Sequence, residues 1–406
     1  MIINEVTLLG HKDHGKSTLI GNILILTESV TKARIDSAKK MSKRLGRAFE
    51  PGFLLDSFEE EQEGAMTIDT TRAQIKYKRK GFEFIDVPGH EELIKNMISG
   101  ASHARFAILV VSAKPEEGIS TQTKRHLFLA RMMGIGSVVV CVNKMDTINY
   151  SEKAFDFISG ELASFLKRIG FDTDSVFFVP VSAYKGENII SKSGSMRWYH
   201  GRPLLAILAN LSVKREFGGE GKPTRFIFQG SIDTERGKAY IGRLVSGNIQ
   251  KGDMIAVSPI QKRFFVDTIY TKGKKVGRAK QGENAAFILK PAPKEELRGM
   301  VGCSADNAIR GKTKLNAIVF AVDLLPKRGK IRINGTDHDC AIKVLREIDT
   351  SDGIPRKSTS IRPLEAGEAV ISLSEPVCVE SFSVSEEIGR FTIYTNEKFV
   401  GFGIVR

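Results

Sequence analysis

The pattern G-x-x-x-x-G-K-[ST] near the amino terminus constrains the fold of this chain more than any other feature. Its fixed positions are occupied by Gly10, Gly15, Lys16 and Ser17. The apolar run 6–9 before the pattern predicts a buried strand, and the run 19–24 after it predicts the start of a helix. A phosphate-binding loop is the interpretation that this context favours over a chance lysine in a glycine-rich turn.

The chemistry of a phosphate group explains why these residue types occur together. Glycines let backbone N–H groups point at phosphate oxygens, and the amino terminus of the helix adds partial positive charge. Lys16 is expected to reach the β- and γ-phosphates and to stabilise charge during catalysis, and the Ser17 hydroxyl to bind Mg²⁺. The predicted nucleotide-binding residues of the loop are Gly10, His11, Lys12, Asp13, His14, Gly15, Lys16, Ser17 and Thr18.

The length and charge of the chain set limits on its organisation and partners. A chain of 406 residues predicts more than one domain. The 61 Lys and Arg residues against 47 Asp and Glu residues produce a net charge of +14, which favours a polyanion such as RNA as a partner. A basic surface that serves only solubility is the alternative. Neither DNA nor a membrane is expected as a partner.

The cysteines and the hydropathy pattern indicate the cell compartment. The four cysteines are Cys141, Cys303, Cys340 and Cys378, and none forms a C-x-x-C pair. We expect buried, reduced thiols and no zinc site, as in a cytoplasmic protein. No apolar run reaches the ~18 residues that a membrane span needs, and the first predicted strand leaves no room for a signal peptide.

Residues 1–212 alternate strand-like and helix-like runs. This alternation predicts an α/β domain with a mostly parallel sheet and helices on both faces. The predicted strands are Glu5–Leu9, Phe82–Asp86, Phe106–Val111, Ser137–Val142 and Val176–Val181; the predicted helices are Lys16–Leu26, Glu91–Ser99, Thr121–Met133, Glu152–Ile169 and Leu204–Leu211. The segment 31–45 is basic and is also expected to be helical.

The composition changes after residue 212. Residues 213–222 are polar and glycine-rich and predict a linker. Short runs rich in Ile, Val, Phe and Thr then follow, broken by Gly and Lys, which is typical of small antiparallel barrels. We therefore predict a nucleotide-binding domain at 1–212, the linker at 213–222, one β-barrel at 223–311 and a second β-barrel at 312–406.

The sequence D-V-P-G-H at 86–90 follows a predicted strand and has the features of a catalytic segment. Asp86, at the strand end, is expected to hold Mg²⁺ through a water molecule. Gly89 leaves its N–H free to contact the γ-phosphate and lets the segment move when that phosphate leaves. His90 is placed to orient the attacking water, although a histidine of an ordinary surface turn is the competing interpretation.

A second predicted metal ligand lies upstream of Asp86. Thr67, within the sequence M-T-I-D, is expected to bind Mg²⁺ through its hydroxyl and the γ-phosphate through its backbone. A plain strand threonine is the alternative, since Thr70 and Thr71 are close by.

The base is predicted from two further segments. Asp146 of N-K-M-D can accept hydrogen bonds from guanine N1 and N2, which adenine does not offer, while Asn143 can bond the ring edge and the Lys144 stem can lie over the base. The segment Ser182-Ala183-Tyr184 is expected to offer a backbone N–H to guanine O6. Together these residues predict that the nucleotide is GTP, or GDP after hydrolysis, with Mg²⁺ as cofactor.

In this order, the motifs resemble those of the elongation factor Tu and elongation factor 1-alpha group of translational GTPases. The resemblance covers nearly the whole chain. Residues 10–18 are similar to the D-H-G-K-S loop of the group, 95–100 to its K-N-M-I-[ST]-G helix, 196–201 to its M-P-W-Y-x-G segment, and 376–382 to its closing strands. The resemblance implies a partner-stimulated GTPase domain followed by two barrels, with aminoacyl-tRNA and the ribosome as partners.

Two relatives of the group offer other functions. Residues 49–56 and 60–62 and the short loop 114–122 are similar to the GTPase subunit of sulfate adenylyltransferase, whose partner is an adenylyltransferase. A ribosome-rescue switch that binds a tRNA-shaped protein is the other alternative.

This chain also departs from the group at two places. The usual R-G-[IV]-T-I reads E-G-A-M-T-I at 63–68, and Val245 replaces the acid of G-R-V-E-x-G. In elongation factors that acid helps to hold the terminal adenosine of aminoacyl-tRNA, and a valine cannot accept the hydrogen bond.

Overall fold

The structure is a computed structural model that describes residues 3–44, 46, 49–55, 71–86, 104–211 and 223–406. The contacts divide the chain into two compact units. The first unit contains residues 1–212 with 350–353, and the second contains residues 213–349 and 354–406. The domain limits inferred above, at 212, 223 and 312, stay predictions.

The first unit is built around a six-stranded sheet with the strand order β2-β3-β1-β4-β5-β6. The pairs β3–β1, β1–β4, β4–β5 and β5–β6 are parallel, which confirms the predicted mostly parallel α/β fold. The strands are β1 Ile3–Leu9, β2 Thr71–Tyr77, β3 Lys80–Asp86, β4 Phe106–Ser112, β5 Ser137–Asn143 and β6 Val176–Pro180.

Strand β2 was not among the predicted strands. It pairs antiparallel with β3, from Thr71 opposite Asp86 to Tyr77 opposite Lys80. Ala73 and Ile75 are buried while Arg72, Gln74 and Lys76 are exposed. This alternation is typical of an edge strand with one solvated face, and the polar residues made the segment resemble a loop in the sequence.

The first unit has five α-helices whose bounds lie within the described residues. They are α1 Lys16–Leu26, α2 Lys32–Arg44, α3 Thr121–Met132, α4 Glu152–Arg168 and α5 Leu204–Asn210. Serine side chains cap two of them: the Thr123 N–H donates to Ser120 Oγ and the Ala154 N–H donates to Ser151 Oγ. The predicted helix Glu91–Ser99 lies outside the described residues.

The second unit contains two closed β-barrels, each with six strands in its ring. The first ring runs β10-β15-β7-β8-β14-β11 and closes through the β10–β11 pair; the second runs β17-β21-β22-β16-β20-β18 and closes through the β17–β18 pair. The first set of strands is β7 Arg225–Thr234, β8 Gly237–Ser246, β9 Asn248–Gln250, β10 Met254–Ser258, β11 Lys262–Thr271, β12 Lys274–Val276, β13 Arg278–Lys280, β14 Asn284–Lys290 and β15 Val301–Ser304. The second set is β16 Lys312–Ala321, β17 Arg328–Ile333, β18 Thr336–Asp349, β19 Ile354–Lys357, β20 Ala366–Val377, β21 Arg390–Thr395 and β22 Lys398–Val405.

A buried ion pair joins the two barrels. The Arg225 side chain is only 3% exposed and forms a two-pronged pair with Glu380, in which Nε donates to Oε2 at 3.1 Å and Nη2 donates to Oε1 at 2.8 Å. The other N–H groups donate to Thr224 O, Asn307 O and Asn307 Oδ1. All five guanidinium donors are therefore used, which is the condition under which a buried charge is tolerated.

An apolar cluster lies beside this pair and contains residues of both barrels. Its buried members are Ile227, Val245, Val301, Cys303, Ile309, Cys378 and Ile388. Val245 is therefore part of the packing between the barrels, which explains why an apolar residue is accommodated at this position of β8.

The four cysteines lie inside the protein. All four cysteines are buried and unpaired with one another, as expected for reduced thiols. Burial raises the pKa of the Cys340 thiol to about 11 and that of Cys378 to about 12, so both are protonated at neutral pH.

Within the described ranges, no helix combines the length and apolar character that crossing a membrane requires.

The Arg225→Ala variant tests the role of the buried pair. We expect it to lower the free energy of unfolding of the barrel unit by about 3–5 kcal/mol, because the Glu380 carboxylate is left partly buried without its partner. Chemical denaturation followed by far-ultraviolet circular dichroism measures this loss. The matched control is Arg332→Ala, which removes an exposed two-pronged pair with Asp337 and should cost at most about 1 kcal/mol. Equal losses in the two variants would contradict the assignment.

Candidate nucleotide-binding site

The predicted site residues lie at one edge of the parallel sheet. Leu8 of β1 is in register with Asp86 of β3, and Ser112 of β4 with Asn143 of β5, so the strands of each pair end close together. The loops that follow them therefore meet at the carboxyl edge of the sheet, where ligands bind in open α/β folds.

The phosphate loop requires glycine at both of its fixed glycine positions. Gly10 has φ +135° and Gly15 has φ +88°, which are unfavourable for other residues. A Cβ atom on Gly10 would lie 2.3 Å from Val110 O, and one on Gly15 would lie 2.5 Å from Asn143 Nδ2. The loop is thus packed against β4 and against the end of β5.

Two backbone carbonyl groups of the phosphate loop hold the Lys16 side chain in place. The side chain is buried, and Nζ donates to Gly10 O at 3.0 Å and to His11 O at 3.3 Å. An ammonium group has three protons, so one is left for an anion at the mouth of the loop. Ser17 is exposed in the first turn of α1, where its hydroxyl is open to a ligand.

His14 contributes to the loop mainly through its backbone. Its ring is buried, with Nδ1 3.4 Å from Val110 O, and this burial lowers the pKa of the imidazole below its usual value. The ring is therefore neutral at pH 7 and packs behind the loop. Its carbonyl oxygen accepts a hydrogen bond from Asn143.

Asn143 links the phosphate loop to the loop that follows β6. Its Nδ2 donates to His14 O at 2.8 Å, and its Oδ1 accepts from the Ala183 N–H at 2.8 Å. The carboxamide thus uses one proton and one lone pair within the protein. We expected the Ala183 segment to offer a backbone N–H to guanine O6, and the structure provides another acceptor for the Ala183 N–H. The predicted contact of Asn143 with the base stays a prediction.

Asp146 is oriented by a buried serine. Ser182 Oγ donates to Asp146 Oδ1 at 2.6 Å, and Ser182 is fully buried. The Ser182 carbonyl in turn accepts the N–H groups of Gly186 and Glu187. This arrangement holds one carboxylate oxygen in place.

Asn22 of α1 anchors the same loop from the other side. Its Nδ2 donates to Ala183 O at 2.6 Å and to Tyr184 O at 3.1 Å, so the positions of Ser182-Ala183-Tyr184 depend on the helix that begins at the phosphate loop. Sequence reasoning missed Asn22, because a lone asparagine inside a helix carries no motif.

Lys144 has a left-handed backbone conformation, with φ +64°, at the start of a 3₁₀ turn over Met145–Ile148. Its Nζ lies 2.6 Å from Oε2 of Glu117, in the loop after β4. Burial alone would raise the pKa of Glu117, but hydrogen bonds from Lys144 and Ser112 outweigh it and lower the pKa to about 2. Glu117 is a second residue that the sequence analysis missed, although its position after the strand next to β5 could have indicated it.

Two of the described residues, Ser17 and Asp86, have side-chain oxygens that could bind Mg²⁺. Asp86 ends β3 and is half-buried, and it supplies an oxygen donor at the same sheet edge as the Ser17 hydroxyl. Within the described ranges, no three His, Cys, Asp or Glu side chains lie together in a way that could hold a metal ion. Hydroxyl and carboxylate oxygens are ligands that Mg²⁺ accepts, so Ser17 and Asp86 fit this ion. Thr67, Gly89 and His90 lie outside the described residues.

The class of protein follows from the fold and the site together. A parallel sheet with a phosphate loop after its first strand and N-K-x-D after β5 is the architecture of a phosphate-loop GTPase.

Comparisons with known proteins specify the class further. The family model of the elongation factor Tu GTP binding domain matches residues 1–214, and the model of the GTP-eEF1A C-terminal domain-like family matches residues 329–406. Elongation factor 1-alpha of Aeropyrum pernix is 33% identical over 99% of this chain and 95% of that protein. The same factor of Sulfurisphaera tokodaii is 35% identical over 99% of this chain and 96% of that protein.

A crystal structure of sup35 complexed with GDP is 25% identical and covers 99% of this chain and 93% of that chain, at a TM-score of 0.44.

The chain belongs to the elongation factor Tu and elongation factor 1-alpha family. It is a GTPase of the translation-factor type and binds guanine nucleotides. The resemblance inferred from the sequence is thereby confirmed.

The Asp146→Asn variant tests the recognition of the base. We expect its affinity for GTP to fall about 100-fold, because the amide directs its own N–H at a base N–H group that needs an acceptor. Its affinity for xanthosine triphosphate, which has a carbonyl in place of the 2-amino group, should rise. Competition against a fluorescent nucleotide measures both affinities. Asp174→Asn makes the same change of charge at an exposed position and serves as the control. Unchanged GTP affinity in Asp146→Asn would exclude the predicted guanine contact.

Proposed function

We propose that this protein carries aminoacyl-tRNA to the ribosome in its GTP-bound form and dissociates after hydrolysis. The observation that supports this most strongly is the similarity to proteins named elongation factor 1-alpha over 99% of the chain. This similarity extends over the GTPase unit and both barrels, so it is not limited to the nucleotide-binding motifs.

We assign the phosphate side of the site to Lys16, Ser17, Thr67 and Asp86. Lys16 contacts the β- and γ-phosphates with the proton that its two carbonyl acceptors leave free. The Ser17 and Thr67 hydroxyls would hold Mg²⁺, and Asp86 would contribute a carboxylate to the same ion. Bound Mg²⁺ would neutralise negative charge on the β- and γ-phosphates.

We assign the hydrolytic step to His90, supported by Gly89 and Lys16. The His90 ring orients a water molecule for in-line attack on the γ-phosphate, and the Gly89 N–H contacts that phosphate. Lys16 and the N–H groups of residues 10–18 stabilise the negative charge of the transition state. Loss of the phosphate then releases the segments around Thr67 and Gly89.

We assign the base side to Asn143, Lys144, Asp146 and the segment Ser182–Tyr184. Asp146 accepts from guanine N1 and N2, and Ser182 keeps its carboxylate in one orientation. Asn143 contacts the ring edge with the proton and lone pair that its two protein contacts leave. The Lys144 stem lies over the ring.

One observation supports a second candidate function. Val245 is buried in the apolar cluster between the barrels and has no group that could accept a hydrogen bond from an adenosine. A GTPase that binds a protein in place of the aminoacyl end of tRNA would have no need of that acceptor. Such a partner would be an adenylyltransferase subunit or a tRNA-shaped protein. The names of the relatives favour the translation function.

Binding of aminoacyl-tRNA by the full-length protein tests the proposal. We expect the form loaded with a non-hydrolysable GTP analogue to bind about 5- to 150-fold more tightly than the GDP form, which is the usual range of such coupling. The affinity should fall steeply as salt rises, because the chain carries a net charge of +14. Deacylated tRNA is the control ligand.

Two outcomes would contradict tRNA delivery. The first is equal, weak binding of aminoacyl-tRNA in both nucleotide states. The second is a stoichiometric adenylyltransferase partner that co-purifies with the GTP form.

A further inference from the structure

We infer that Glu117 is a positioning residue for the guanine base, whose carboxylate holds the Lys144 side chain in the orientation that contacts the ring. The inference rests on the proposed function, since it takes Lys144 as a residue of the base site. It adds a residue of the loop after β4 that belongs to none of the motifs of the sequence.

The geometry places the Glu117 carboxylate between two lysines. Oε2 lies 2.6 Å from Lys144 Nζ, and Oε1 lies 3.4 Å from Lys114 Nζ. The side chains of Glu117 and Lys144 are both 23% exposed. The short contact therefore lies in a partly desolvated place, where an ion pair is stronger than one on the open surface.

The backbone fixes Glu117 relative to the end of β5, after which Lys144 follows directly. The N–H groups of Glu117 and Gly118 both donate to Lys114 O, at 3.1 and 3.0 Å, which makes a tight turn. The Ala113 N–H donates to Asn143 O at 2.8 Å, and this joins the start of that turn to the end of β5. Glu117 and Lys144 thus lie on adjoining segments of one rigid sheet edge.

The Glu117 side chain stays negatively charged at neutral pH. Its pKa is about 2, since the hydrogen bonds from Lys144 and Ser112 outweigh the effect of burial. A carboxylate with a lowered pKa contributes its full stabilisation when the pH is above its pKa in the unfolded chain. That stabilisation is lost as the pH falls towards the pKa in the folded protein, which is about 2 for Glu117. We therefore expect no titration of the Glu117 carboxylate between pH 5 and 8.

Fixing a lysine before the nucleotide arrives favours binding. A free lysine side chain has many rotamers, and ordering it over a base opposes association. If Glu117 already holds the Lys144 ammonium group, the side-chain entropy is lost on folding and not on binding. Removal of the carboxylate should then weaken binding of any purine nucleotide through Lys144, without altering how Asp146 reads the 2-amino group.

The test compares four variants of the full chain: Glu117→Gln, Lys144→Ala, the double variant and the control Glu116→Gln. Glu116 is the exposed neighbour in the same loop. The probes are fluorescent GDP and, in competition, IDP, which lacks the 2-amino group. We expect Glu117→Gln to raise the Kd for GDP about fivefold, mostly through faster dissociation, and the Kd for IDP by the same factor. Glu116→Gln should match the unchanged protein.

The double-mutant cycle separates positioning from a general loss of structure. The double variant should bind no more weakly than Lys144→Ala alone, since Glu117 acts through Lys144. Glu117→Asp keeps the charge on a shorter side chain and should have an intermediate Kd. It also replaces Glu117→Gln in the test if that variant does not fold.

The results distinguish failure of this inference from failure of the proposed base site. Weaker binding in Lys144→Ala, with normal binding in Glu117→Gln, would overturn the role of Glu117 alone. Additive effects in the double variant, or a changed ratio of GDP to IDP affinity, would also overturn it. Normal GDP binding in Lys144→Ala would instead overturn the assignment of Lys144 to the base.

Discussion

The carboxamide of Asn143 is the interaction on which the nucleotide site depends. It lies at the end of β5 and joins His14 O of the phosphate loop to the Ala183 N–H of the loop after β6. Asn143 is 129 residues from His14 in the sequence and 40 residues from Ala183. The loops nevertheless meet, because the parallel sheet brings the ends of their strands to one edge. The Asn143 side chain thereby connects the phosphate end of the site to the base end through two hydrogen bonds.

Other buried contacts support this bridge. Asn22 ties the loop after β6 to α1, and Ser182 orients the Asp146 carboxylate. Glu117 holds Lys144 from the loop after β4. The loops of β1, β4, β5 and β6 are therefore cross-linked by side chains. In the barrel unit, the Arg225–Glu380 pair connects two closed sheets in a comparable way.

Much of this organisation could be predicted from the sequence. The phosphate loop, N-K-x-D and the alternation of strands and helices depend on local residue types, so they predicted the α/β fold and the family. The short runs rich in Ile, Val, Phe and Thr after residue 222 predicted the two barrels. The bridge made by Asn143 could not be predicted, because it depends on which loops the sheet brings together. Asn22 was missed because a lone asparagine inside a helix carries no motif, and Glu117 was missed although its position after the strand next to β5 could have indicated it. Strand β2 was missed although its exposed Arg72, Gln74 and Lys76 alternate with the buried Ala73 and Ile75.

The exchange rate of the Ala183 amide proton in nucleotide-free protein tests the bridge most directly. We predict that this amide is protected from exchange, since it donates to Asn143 Oδ1 at 2.8 Å, and that Asn143→Ala removes the protection. The Gly186 amide donates to Ser182 O and should stay protected in both proteins, which makes it the internal control. Exchange of Ala183 at the rate of an open loop, or equal protection in Asn143→Ala, would contradict the account.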